Sequence, residues 1–217
     1  ITCIDTEHIR KDFVAAYLIE HNGRAAFIDT GCHLSVPALL NTLKEKNIAT
    51  EAVDHIILTH IHLDHAGGAG ELIKHLPNAN VYVHERRAQH LIDPSKLRAG
   101  VIGVYGELFF KQFLGDLIPI PEDRLIIAKD NDLINLGGRI LKIIDTPGHA
   151  RHHLCVWDEQ SQGIFSGDTL GVSYRDFDTE QGELIFPPTT PVQFDPEAWI
   201  ETIKKLISLK PKTAYLT

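Results

Sequence analysis

The run His55-Ile56-Ile57-Leu58-Thr59 narrows what this chain can fold into more than any other segment. It is short, apolar through its centre and lacks polar alternation, the pattern of a strand covered on both faces. A sheet that contains it needs a packed layer on either side. The flanking sequence supplies those layers. Val14–Ile19 and Ala25–Ile28 surround His21-Asn22-Gly23, which reads as a hairpin. A helix is predicted from about Ser35, as N-cap, through Leu39, Leu40 and Leu43 to about Lys46. Another is predicted from Ala66 to about Leu76, where Leu72, Ile73 and Leu76 form an apolar face despite three glycines, and Pro77 ends it. Val81-Tyr82-Val83 returns as a strand.

From Arg86 to about Leu117 the apolar spacing lengthens, with Leu97, Val101, Val104, Leu108 and Phe109 on one stripe; residues 86–117 are predicted as a helical insertion. Strands follow at Leu133–Leu136, at Ile140–Ile144 after a Gly137-Gly138 turn, at His153–Trp157 and at Ile164-Phe165. The last helix starts at Asp195 as N-cap with Pro196 at its first position, and Thr213–Leu216 is a final strand. The expectation is an α/β chain with two sheets sandwiched between helices, in a single domain over residues 1–217. At 217 residues folding buries roughly 70% of the unfolded surface.

Net charge of -8 disfavours long nucleic acid as a partner, and no run approaches the roughly 18 apolar residues of a membrane span. The N-terminus lacks the plan of a secretion signal, so a cytoplasmic location is expected. Cys3, Cys32 and Cys155 form no CxxC pair, which argues against a disulfide framework.

The anomaly in composition is histidine, 13 residues, with three between His60 and His65 and three between His149 and His153. In Thr59-His60-Ile61-His62-Leu63-Asp64-His65 an extended backbone puts His60 and His62 on one side. Asp64 continues the alternation, and His65 can swing in at the turn into the next helix. Imidazole nitrogen and carboxylate oxygen without thiolate suit a borderline divalent ion such as zinc.

This run resembles the His-x-His-x-Asp-His signature of the metallo-β-lactamase superfamily. The resemblance continues in order through Asp29-Thr30-Gly31, Thr146-Pro147-Gly148-His149 and Ser166-Gly167-Asp168 and covers essentially the whole chain. It implies a four-layer αββα sandwich with two divalent metal ions, zinc foremost with manganese or iron as alternatives, held by loops at one edge. By the same resemblance His60, His62 and His149 are the imidazoles of the first metal, Asp64 and His65 ligands of the second, and Asp168 the bridge. The family's last histidine would fall on the position after Thr217, so a truncated C-terminus is expected.

The activity implied is a dinuclear metal-dependent hydrolase, in which metal-bound hydroxide attacks a small carboxylic ester, lactone or thioester. Asp64 is a candidate catalytic residue, orienting the nucleophile or accepting its proton. Tyr174, shortly after Asp168, is a second, placed to donate to an oxyanion or else simply packed. The alternatives are a phosphodiesterase on a small substrate, an iron-dependent sulfur dioxygenase and a non-catalytic metal-binding module. Asp29 is either support for the metal loop or a strand-end turn; His152 and His153 either face substrate or are structural. His8, His21, His33, His55, His75, His84 and His90 read as surface or structural. Tyr105, Phe109 and Phe110 of the insertion, with the loop from Tyr174 to Phe186, are expected to wall the cleft or else to serve as core or a contact between copies of a homo-oligomer.

Overall fold

The computed structural model describes residues 1–217. Six strands form a first sheet in sequence order: β1 (Thr2–Asp5), β2 (Ala15–His21), β3 (Arg24–Ile28), β4 (Val53–Ile57), β5 (Asn80–His84) and β6 (Leu125–Ala128). The first three are antiparallel neighbours, whereas β3 to β6 run parallel. Between the parallel strands lie α1 (Val36–Glu45), α2 (Leu63–Ala66), α3 (Ala69–His75), α4 (Ala88–Ile92), α5 (Ser95–Tyr105), α6 (Glu107–Phe109) and a π-helical turn, Phe110–Leu114. The second sheet has the order β11-β10-β9-β8-β7, from β7 (Leu133–Leu136), β8 (Arg139–Asp145), β9 (Leu154–Asp158), β10 (Gly163–Gly167) and β11 (Thr213–Leu216). Its strands are antiparallel except for β10 and β11, which α7 (Pro196–Ser208) connects.

Side-chain alternation along the strands divides the core into layers. Tyr17, Ile19, Ala26, Ile28 and Ile57 point inward from the first sheet to meet Leu141, Ile143, Leu154, Val156 and Phe165 from the second. On the opposite face Leu18, Phe27 and Ile56 pack with Leu39 and Leu43 of α1 and Leu72 and Ile73 of α3. Ile144, Cys155 and Ile164 meet Leu206 of α7 on the far side. The result is the expected αββα order. Phe27 is fully buried, and Phe27→Ala would cost about 3–5 kcal/mol in transfer and cavity terms.

Several expectations shift. The buried strand starts at Val53 and ends at Ile57, leaving Leu58 and Thr59 in the connection that bears the histidines. The helix expected over residues 66–76 begins at Leu63 and breaks at Gly67-Gly68, where the β3–α1 turn approaches too closely for side chains. A Cβ on Gly67 would lie 2.4 Å from the Leu63 carbonyl, and Gly68 donates its N–H to the Gly31 carbonyl. Ser35 holds the N-cap position of α1 without capping it; its hydroxyl lies 3.4 Å from Cys32 Sγ instead. Thr2–Asp5 and Leu125–Ala128 are strands the hydropathy pattern did not mark. Pro94 divides the helices of the 86–117 segment.

Candidate metal centre

Both sheets deliver loops to one edge of the sandwich. Parallel β4 ends into Thr59–His65, the β8–β9 turn carries His149, and β10 ends at Gly167 directly before Asp168. The Leu154 N–H donates across the sheets to the Thr59 carbonyl at 2.6 Å, which ties the first loop to β9.

The structure brings His60, His62, His149 and Asp168 together, with their ligand atoms all within 4.8 Å of one another. His60 Nε2 lies 2.9 Å from His62 Nδ1, and His149 Nε2 lies 3.2 Å from that same atom and 3.3 Å from Asp168 Oδ2. His60 Nε2 to Asp168 Oδ2 is 4.0 Å. Ligands of a tetrahedral zinc ion at roughly 2.0–2.1 Å are about 3.4 Å apart, so this donor set fits such an ion. Burial pushes His60 well below its ordinary value, lowers His62 and takes His149 down to about 4. All three rings are therefore neutral near pH 7, with lone pairs available.

Asp64 and His65 lie on the other side of Asp168. His65 Nε2 is 3.2 Å from Asp168 Oδ1 and 3.6 Å from Asp64 Oδ2. Burial opposes a charge on His65, yet Asp168, Asp64 and a hydrogen bond to Asp29 raise its pKa well above the ordinary value. Burial likewise works against the Asp168 carboxylate, but His65 holds it far below the usual range. Of the two carboxylates Asp64 is the more accessible, 37% against 15% for Asp168. The hydroxyl of Thr217 reaches Asp168 Oδ1 at 3.5 Å.

Asp29 is more than a turn residue. Its Oδ1 accepts the Thr59 N–H and its Oδ2 accepts both the Thr59 hydroxyl and His65 Nδ1, at 2.7, 2.7 and 2.9 Å. Thr59 Oγ1 in turn lies 3.1 Å from His60 Nδ1. One carboxylate thus fixes the tautomers of two imidazoles, leaving their Nε2 atoms as donors. Thr59 went unmarked because a threonine closing an apolar run has no signature of its own. His153 is fully buried, its Nδ1 2.8 Å from Thr146 Oγ1 and its ring 4.9 Å from that of His60. The ring of His152 lies 5.9 Å from that of His62.

At the rim the aromatic residues divide between the two expected roles, core and surface. Phe110 is fully buried with Cys32, Leu63 and Leu114, beneath the loop that carries the histidines. Tyr105 instead stacks on Phe109, which meets Phe113 at a tilt, and Tyr105 is 62% exposed. Tyr174 stacks on Phe13 at 5.0 Å and meets Phe186 edge-on. Burial raises its phenol pKa, the charge of Asp168 adding to the effect and Arg10 opposing it. Phe13 and the buried His8 belong to a loop whose backbone is held by Asp5, which accepts the N–H groups of Glu7 and Asp12. Its left-handed residues, Glu7, Ile9 and Asp12, carry no hydropathy signal.

Residues 9–217 match the metallo-beta-lactamase superfamily. A metallo-beta-lactamase fold-containing protein of Sulfurisphaera tokodaii is 33% identical over 165 residues, 75% of this chain and 59% of that protein. The crystal structure of an archaeal superfamily protein from Sulfolobus tokodaii superposes with a TM-score of 0.76 at 29% identity, covering 94% of this chain and 73% of the other. A hydroxyacylglutathione hydrolase of Citrobacter koseri is 29% identical over 70% of this chain and 45% of its own length. An acyl-coenzyme A thioesterase of Homo sapiens is 28% identical over 71% and 57%. The chain thus spans about half the length of these curated relatives.

Proposed function

The chain belongs to the metallo-beta-lactamase superfamily, and from that premise we propose that it is a metal-dependent hydrolase acting on small thioesters. The supporting observation is the arrangement of two donor groups around one carboxylate: His60, His62 and His149 on one side of Asp168, Asp64 and His65 on the other. The first group would hold one divalent ion and the second another, with Asp168 shared. Such ions, when bound, lower the pKa of a water and polarise a carbonyl oxygen.

The remaining work falls to the chain's own residues. Asp64, the accessible carboxylate, orients the attacking water and accepts its proton. Tyr174 presents a phenol that stays protonated, since its pKa is raised, and donates to the oxyanion of the tetrahedral intermediate. Phe13 and Phe186 pack against that phenol and limit its rotation. The thioester class is chosen among esters and lactones because two relatives are named for hydroxyacylglutathione and acyl-coenzyme A, both thioesters.

The test is metal quantification followed by turnover on matched ester, thioester, lactone and phosphodiester substrates. Two divalent ions per chain with thioester preferred is the expected result. One iron per chain with dioxygen consumption, or bound metal without any turnover, would overturn it. Tyr174→Phe should lower thioester turnover about tenfold or more with metal content intact.

A further inference from the structure

A groove of about 330 Å³ opens between the loop after β1, the turn from β3 into α1 and the π-helical turn of residues 110–114. Thr6, Cys32 and Ser35, all buried, form its floor, and its walls include Ile9, Leu34 and Phe113. The polar atoms of the floor are already engaged within the protein. Thr6 donates its hydroxyl to the Val14 carbonyl at 2.7 Å, Ser35 Oγ lies 3.4 Å from Cys32 Sγ, and that thiol donates to the Phe113 carbonyl at 3.4 Å. What the floor offers a ligand is therefore apolar surface. No lysine or arginine lines the groove, and Glu7 is its one acid.

The wall formed by the loop after β1 is costly to hold. Ile9 has a φ of 63°, a left-handed conformation that a β-branched side chain resists, and it is 50% exposed. Glu7 is left-handed as well, and between them His8 is buried with its Nδ1 atom unpartnered. Asparagine at position 9 would suit both this backbone and water, whereas isoleucine suits neither. Strained backbone and orphaned polar atoms concentrate at ligand sites, where binding constrains the chain beyond the needs of folding. Across the groove Leu34 is also 50% exposed. The groove abuts the metal loop. Cys32 shares a buried cluster with Leu63, the residue between His62 and Asp64, and its carbonyl would lie 2.8 Å from a Cβ on Gly68. Two residues before Cys32, the Thr30 N–H donates to the His65 carbonyl at 2.7 Å.

We propose that this groove seats the acyl chain of the substrate, an uncharged chain of about ten carbons or fewer whose carbonyl end lies at the metal centre. The length follows from the volume, since about 330 Å³ takes about ten water-sized groups at roughly 30 Å³ each. The lack of cationic side chains excludes the charged part of a thiol carrier, phosphate or carboxylate, as the occupant. Apolar walls around a floor with no free polar atom select a hydrocarbon instead. That the hydrocarbon is an acyl group rests on the thioester reading, whereas the preference of the groove for an apolar ligand does not.

The test uses the metal-loaded protein and S-(2-oxoalkyl) thioethers of N-acetylcysteamine with chains of three, six and nine carbons, measured by calorimetry. A methylene between sulfur and carbonyl protects each of them from hydrolysis, and none is charged. A fully buried methylene strengthens binding about fourfold, so a groove open on one side should give about twofold per methylene, or about 60-fold from three carbons to nine. Ile9→Asn combined with Leu34→Asn should cut that ratio about tenfold, with the fold kept because asparagine suits the left-handed backbone at position 9. Thermal unfolding checks the fold. If the pair is unstable, Leu34→Asn alone, at its half-exposed position, should cut the ratio about threefold. Equal binding of the three ligands by the wild-type protein, or an undiminished ratio in a folded variant, overturns the proposal. Hydrolysis of acyl thioesters of the same lengths is measured in parallel. Binding that follows chain length without hydrolysis retains the groove and removes the thioesterase reading, whereas hydrolysis with binding indifferent to chain length does the reverse.

Discussion

Asp29→Asn changes one atom and should disturb both halves of the metal centre. The Thr59 N–H at 2.7 Å needs an oxygen at the Oδ1 position, so the new amide nitrogen must take the Oδ2 position. There it faces the Thr59 hydroxyl and His65 Nδ1, both of which donate to the wild-type carboxylate. Two donors cannot share a bond. His65 must become an acceptor at Nδ1, and Thr59, having accepted from the amide, turns its proton toward His60 Nδ1. Each imidazole then carries its proton on Nε2, the atom facing the cluster. Metal affinity should fall by about 10–100-fold, the scale for losing an outer hydrogen-bond partner. In the metal-free protein the loss of the charge-assisted bond to His65 costs about 2 kcal/mol, or roughly 4–8 °C in Tm. Chelator competition gives the first quantity and thermal unfolding after metal removal the second. Wild-type metal affinity in a correctly folded Asp29→Asn protein would refute the tautomer reasoning.

Three further outcomes are expected. Asp64→Asn should lower turnover by about 10²–10⁴-fold while leaving metal-free stability nearly unchanged; if the variant keeps its metals and its rate, as read by metal analysis beside kinetics, Asp64 has no proton-transfer role. Gly148→Ala should destabilise by about 2–4 kcal/mol and weaken metal binding, because φ is 142° and the added Cβ would lie 2.4 Å from Trp199 Cα in α7, next to His149; thermal unfolding checks it. Arg139→Met should cost about 3–5 kcal/mol by stranding the buried Asp158. Burial works against the Asp158 carboxylate, but Arg139 and Ser161 lower its pKa, so its contribution is full above about pH 4 and fades as pH falls through the folded value. Denaturant midpoints should show a constant gap between wild type and variant from pH 5 to 8 that shrinks in more acidic buffer.

The layers of the fold were legible because hydropathy period reports burial. Ile56 and Ile57 are both covered, as a continuous apolar run requires, and one faces α-helices while the other faces the second sheet. Asp195 caps α7 through the Ala198 N–H as its position before Pro196 implied. Within the cluster, His60 and His62 were legible from their spacing, whereas His149 and Asp168, distant in sequence, were reached only through the family resemblance. What escaped was geometry that side-chain type does not encode. Phe110 has the same apolar character as Tyr105 and Phe109, yet a π-helical turn rotates it into the core, where it is fully buried. The left-handed backbone of Glu7, Ile9 and Asp12 brings Phe13 against Tyr174 without the glycines that would announce it.

The bond from the Leu154 N–H to the Thr59 carbonyl makes metal occupancy and the contact between the two sheets a pair of linked equilibria. Thr59 is anchored to Asp29 in the first sheet, bears on His60 and accepts from β9 in the second, so a ligand shell around His60 forms only when both sheets are seated. A substitution among the inward residues, such as Phe165 or Ile143, would therefore register as a weaker metal affinity although it touches no donor atom. Metal titration of this protein gauges how firmly its two halves are held together.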